Sequence, residues 1–504
     1  MIPMPSPKTL QLGVLQSLSR YYWFFAVTGA HNDKTEILPP HLQPVHRYAA
    51  VRDSALRGAM QSKLLFAGLM VIMAARMVHI SRIPTMNFPP PEYYLELTLQ
   101  EIRERMLECQ VQGTPVDSGL LRSIQCLALA EWICRRYDAA TIHVQAAKKL
   151  FPQANFGHPS DAFAREGIVN IDNLICIETG RLPEFPVMHD PGPLKMSRMA
   201  LIRDEVGALA VGQVNHATHP HSPVQDATRP TSAFVPHQVD ILADASTTLA
   251  CTLGSGFERG LAADAVHPLL APVLRDILDV LTVAKYVWRT PNATERDADW
   301  MCKRARALVH RLLLLRANPF FSEQTISARK VEVLRIALLL VLTRCTNRVA
   351  FRSAQPNMRR LQHALHGIDK DWSTNKTTSW GTEAEMTGSS CQLQPESPAS
   401  TPSWDSSSSS SSPSPLNAPF GRPLRDPQSK QYDQNALLLW ALMTGHFNAQ
   451  GEPEESWFLK RAVYVAETHL GIHDYDGLVD FMSQYFYSKT RQQHSLTIVA
   501  LHLS

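Results

Sequence analysis

The residues of this chain with the right types for chemistry are a set of histidines, a glycine cluster and two short carboxylate groups. His216, His219 and His221, with His237 further on, offer imidazoles that a metal ion can take. A metal site also needs a rigid frame and outer hydrogen bonds that orient each ring. These histidines fall in residues 213–237, a stretch rich in Pro, His, Thr and Ser that reads as a solvated loop. Gly254-Ser255-Gly256, with Gly260 beyond, resemble part of a phosphate-binding loop. Their spacing departs from the dinucleotide fingerprint and no strand-like run precedes them, so a turn between helices is expected. Asp204-Glu205 and Asp297-Ala298-Asp299 come nearest to the Asp-rich magnesium motif of a terpene-synthase-like enzyme. Neither sets carboxylates one helical turn apart with a third partner, and magnesium-bound diphosphate needs several such oxygens. They read as ordinary surface carboxylates.

The eight cysteines (Cys109, Cys126, Cys134, Cys176, Cys251, Cys302, Cys345 and Cys391) include no pair at the two-residue gap of a zinc site. Reduced and mostly buried thiols are expected. No nucleophile elbow, His-Glu-x-x-His or Gly-Lys-Ser/Thr loop occurs. The sequence therefore predicts no catalytic residue, no cofactor site, no metal site and no DNA-binding residue, and a protein that is not an enzyme. The sequons at Asn292 and Asn375 count only in a secreted chain. The opening Met-Ile-Pro-Met-Pro-Ser-Pro-Lys lacks the form of a signal peptide. Arg135-Arg136, Lys148-Lys149 and Arg359-Arg360 stay isolated pairs, which suit solvated helix faces.

A chain of 504 residues exceeds what one core serves, so either two cores exist or part of it is unfolded. Apolar residues make up 44% and charged residues 19%, a core-rich balance, and a net charge of +3 gives no nucleic-acid footprint. The longest apolar run, 64–75, is too short to cross a bilayer, which needs about 20 residues, and reads as a buried helix. Helical spacing recurs at Leu10, Val14, Leu18 and Tyr21, and at Leu95, Leu99, Ile102 and Met106. It recurs at Leu274, Ile277, Val280 and Leu281, and over 301–315 and 331–342. Residues 120–132 and 139–151 form an expected helix pair, with Asp138 placed to cap the second. Pro356 suits a first helical turn, Leu361 and Leu365 share a face, and Gly367 suits a helix end. No period-two pattern or fixed-length repeat is present.

Residues 371–430 are rich in Ser and Pro and cannot bury enough apolar surface to offset their ordering entropy. The expectation is an all-α, multi-helix bundle-like body over 1–370, a disordered Ser/Pro insert over 371–430, and helices over 431–504 that pack back on the body. The tail opens with the apolar run 436–443, which stops at Gly445. It continues with Gly451-Glu452-Pro453-Glu454-Glu455 and Trp457-Phe458-Leu459, where Leu459, Val463, Ala466 and Leu470 make one stripe.

This order of segments resembles the regulatory domain of fungal-specific transcription factors. Tyr21-Tyr22 match an aromatic opening, and Ala49 with Asp53-Ser54-Ala55-Leu56 and the run 64–75 match a first helix pair. Residues 121–132 and 138–151, with His143 and Ala146-Ala147, match a helical hairpin, and 331–342 with the Pro356 helix match the segment before the tail. Trp440, Gly445 and Trp457-Phe458-Leu459 match the closing motif. The resemblance covers about residues 20–490. It implies a nuclear regulator of RNA polymerase II transcription with protein partners: a DNA-binding factor or the transcription machinery. The family's zinc binuclear cluster, opened by Cys-x-x-Cys, has no counterpart here, so no direct sequence-specific DNA binding is expected. The chain then acts through a partner or belongs to a longer zinc-cluster factor. Helical enzyme with an apolar pocket and non-transcriptional interaction scaffold are the alternatives, and no membrane association is expected.

Overall fold

A computed structural model describes residues 62–79, 89–153, 161–187, 189–216, 254–290, 292–322, 325–346, 354–372, 427–485 and 489–503. Among them are fifteen α-helices and no strand, which makes the fold all-α. The stripe at Leu10–Tyr21, the segment around Ala49 and Asp53, and residues 373–426 lie outside the described residues.

The first five helices are α1 (Lys63–His79), α2 (Pro91–Gln112), α3 (Ser118–Ile133), α4 (Tyr137–Leu150) and α5 (Asp161–Thr179). α1 carries the run 64–75 and buries Ala67, Val71 and Ala75 completely against α2 and α3. Asp117 caps α3, its Oδ1 accepting from Leu120 N at 2.7 Å, which satisfies one orphan donor of the helix start. α3 and α4 are joined by a tight turn in which Arg135 takes a left-handed φ of 61°. α4 starts at Tyr137 and its cap is the backbone of Arg136. Asp138 is therefore not the cap. It lies inside the first turn, and its carboxylate accepts from Arg181 at 2.8 Å.

The remaining helices are α6 (Met196–His216), α7 (Ser255–Ala262), α8 (Ala271–Arg289), α9 (Glu295–Leu315), α10 (Ile326–Thr346) and α11 (Ala354–Trp372). After them come α12 (Pro427–Asn448), α13 (Glu455–Leu470), α14 (Tyr475–Ser483) and α15 (Lys489–Ala500).

Two apolar cores result. α1 to α5 enclose the first. The second runs from the end of α5 to α15. α5 is shared: Ile168, Val169, Ile171 and Ile175 enter the first core, while Cys176 and Ile177 enter the second. α10 and α12 are the buried axes of the second core. Every residue from 433 to 447 is buried, because α7, α10, α11, α13 and α15 surround α12. A helix covered on all sides needs no polar face, which explains the unbroken apolar run 436–443.

The structure moves several boundaries and faces. α12 begins at Pro427 and α11 ends at Trp372, so residues 371–372 and 427–430 are helical. Gly445 does not stop α12. Gly367 does not end α11 either; it lies inside the helix, where the side chain of Arg329 occupies the place of a β-carbon. α13 is turned by one residue from the stripe expected of it. Phe458, Ala462, Val465 and Ala466 are its buried face, and Leu459, Val463 and Leu470 flank them half-buried.

Candidate functional site

Residues 213–216 are helical, as the end of α6, while His219, His221 and His237 lie outside the described residues. The glycine cluster has a packing role. Gly254 starts α7 with a φ of +90°, and the Tyr485 ring covers Gly256 where a β-carbon would stand. Gly256 N donates to Gln484 O at 2.8 Å, tying α7 to the end of α14. Asp204 is exposed, and Asp299 pairs with Lys303 at 2.8 Å.

Asp297 departs from the surface reading. It is 4% exposed, forms a capping box with Thr294 at the start of α9, and accepts two hydrogen bonds from Arg198 at 2.5 and 3.1 Å. Burial opposes ionisation, but the hydrogen bonds from Arg198 and Thr294 outweigh it and hold the carboxyl below its usual range. It is a structural anchor between α6 and α9.

Cys109, Cys126, Cys134, Cys176 and Cys302 are thiols outside any disulfide. Burial pushes Cys126 up to about 12 and Cys134 to about 11, and it raises Cys176 as well. A thiol held in its neutral form is a poor nucleophile. The basic pairs are tied down. Arg136 meets Glu131 and, at 3.0 Å, Glu92; Lys148 meets Glu184 at 2.8 Å; Arg359 meets Glu454 at 2.8 Å. Among the described residues no group of three His, Cys, Asp or Glu is placed to hold a metal, and no helix is long and apolar enough to cross a membrane.

Two clefts remain. One lies between α5 and α9, lined by Glu166, Asn173, His189, Arg306 and His310. His310 is 2% exposed, burial lowers its pKa, and its Nδ1 donates to Asn173 Oδ1 at 2.9 Å. His189 Nε2 stands 3.7 Å from Glu166. His310 and Asn173 thus satisfy each other across the α5–α9 seam.

The second cleft lies on α12. Its floor is apolar, from Leu270, Val331, Leu334 and Leu437, and its polar groups are His267, Lys330, Gln431, Gln434 and Asn435. It is shallow, with a cavity of about 30 Å³. An apolar floor with a few convergent polar groups is the usual make-up of a small-molecule site. His267 is fixed by its neighbours: its ring stacks on Phe320 at 4.5 Å and its Nδ1 accepts from Leu269 N at 3.2 Å. Burial lowers its pKa, so the ring is neutral with its proton on Nε2. Gln431 Nε2 donates to Asn435 Oδ1 at 3.2 Å, so these two amides partly satisfy each other. Gln434 is 5% exposed, and its Oε1 accepts no hydrogen bond among the described residues.

The sequence reading singled out none of these groups. One signal was present: Gln431, Gln434, Asn435 and Leu438 fall at i, i+3, i+4 and i+7, which puts three amides on one face with a core leucine.

Set against known protein families, curated proteins and solved structures, the chain matches none of them.

Proposed function

We propose that this chain is a fungal-type transcription regulator, a helical regulatory body that acts in the nucleus on RNA polymerase II genes through a DNA-binding partner. The observation that carries this reading is the place of the closing motif. Trp440 and Phe458 are 1% and 0% exposed, at the centre of the second core. The run 64–75, the hairpin α3–α4 and the helix over 331–342 likewise pack as core elements. Those described segments that carry the resemblance thus belong to the two cores. A body made this way offers its rim and clefts to partners and effectors.

The test is to tether the chain to a heterologous DNA-binding module upstream of a reporter. Reporter output is expected to change severalfold. An unchanged output from a fusion that occupies its site would overturn the reading. The purified chain alone is expected not to shift promoter DNA at physiological salt. The apolar cleft on α12 favours one second reading, a helical enzyme; magnesium-dependent release of diphosphate from a prenyl substrate would establish it.

A further inference from the structure

We propose that the apolar stripe of residues 10–21 seats on α1, over Leu65, Leu69 and Ile72, and completes the first core from within the chain. The docking is independent of the regulatory reading.

α1 has no charged residue between Lys63 and Arg76, and it buries Leu64, Ala67, Val71 and Ala75 where α2 and α3 pack against it. Leu65, Leu69 and Ile72 fall at i, i+4 and i+7 and make a second stripe beside that face. Leu69 and Ile72 rest against the first core, yet all three side chains keep part of their surface open. A helix that is apolar all round belongs inside a protein, so a further apolar element is needed over this stripe. The chain carries one upstream of α1. Leu10, Val14, Leu18 and Tyr21 repeat at i, i+4, i+8 and i+11, which as a helix is about 16 Å long and spans Leu65 to Ile72. The two stripes also match in charge. No charged residue stands between Lys8 and Arg20, so neither face brings a charge that docking would bury. Residues 22–64 join the stripes. A segment joined in this way acts at an effective concentration of about millimolar, which favours it over a second copy or a separate partner.

Leu69→p-benzoylphenylalanine places a photocross-linker on this side of α1 in the full chain. Irradiation followed by peptide mass spectrometry of the monomer is expected to join position 69 to residues 10–21. The same linker at Ile72 should give the same product. Val14→Asp together with Leu18→Asp is expected to lower the yield about tenfold or more, since each apolar side chain withdrawn from a packed face changes an equilibrium by at least about that factor. Gln16→Asp puts a charge on the opposite side of the segment and should leave the yield unchanged. A cooperative thermal transition shows that each variant is folded. Cross-links to a second copy, cross-links to a different part of the chain, or none at all overturn the proposal. So does an equal yield from the folded doubly substituted chain.

Discussion

Phe458 lies against the bare backbone of Gly445. A β-carbon at 445 would stand well inside 3.0 Å of three ring atoms of Phe458, closer than packed atoms come. Gly445 is interior to α12 and Phe458 is the first fully buried residue of α13, so this contact sets how closely the two helices approach.

Gly445→Ala is therefore expected to destabilise the second core. The substitution gains about 1 kcal/mol of helix propensity but overpacks a site bounded by a rigid ring, which costs about 1–3 kcal/mol or more. A net loss is expected in chemical denaturation. Adding Phe458→Leu should return part of it, since the two residues couple through one contact. Gly260→Ala is the control: its β-carbon would meet the flexible end of Leu437 at 3.3 Å, and near-neutrality is expected.

Two buried aspartates should give opposite pH signatures. Asp172 is 2% exposed and its Oδ2 accepts from Glu184 N at 2.7 Å and Phe185 N at 2.9 Å. Burial nevertheless pushes it up to about 6. With a folded pKa above the unfolded value of 3.8, the native state holds the proton longer, so stability falls as pH rises from about 4 to 6. The span is on the order of 3 kcal/mol at most. Asp172→Asn keeps an acceptor for both backbone donors and should flatten this slope, read from denaturation midpoints across pH 4–7.

Asp297 has the reverse sign. Its folded pKa lies below 3.8, so its contribution is present above that value and is lost as pH falls through the lower folded pKa. Asp297→Ala removes both the cap of α9 and the partner of Arg198. A loss of about 2–4 kcal/mol at pH 7 is expected, shrinking below pH 4, and denaturation at both pH values measures it.

The legible parts of the fold were those in which local pattern and tertiary outcome agree. The runs 64–75 and 436–443 predict buried helices because a helix enclosed on all sides has no reason to carry polar residues. Gly367 and Gly445 misled for a physical reason. A glycine late in an apolar run has the form of a helix end, and what makes it an interior contact is a side chain from another helix, Arg329 or Phe458. Asp297 misled in the same way, since Arg198 lies 99 positions away in sequence. Gln434 is buried because α10 and the loop before α8 close over it, and no local pattern encodes that closure.

Arg360 supplies the last prediction. Its guanidinium donates to Ile177 O at 3.1 Å, to Asn357 Oδ1 at 3.0 Å and to Glu178 O, so α11 caps the carbonyl end of α5. Arg316 reaches Gly180 O from α9. Cations at a helix C-terminus satisfy its orphan carbonyls and oppose its dipole. This end of α5 is where the two cores meet, so its capping couples them. Burial and the nearby Arg316 and Arg335 lower the pKa of Arg360 to about 10, and the group stays charged at neutral pH. Arg360→Met leaves buried carbonyls without donors and is expected to cost about 2–4 kcal/mol. Arg360→Lys should recover little of this, because one ammonium cannot reproduce the fork that reaches α5 and Asn357 together. Amide exchange separates this from a general loss of packing: protection should fall first along the C-terminal turn of α5, while α1 to α3 hold theirs. Uniform loss across both cores would show that Arg360 does not act at this joint.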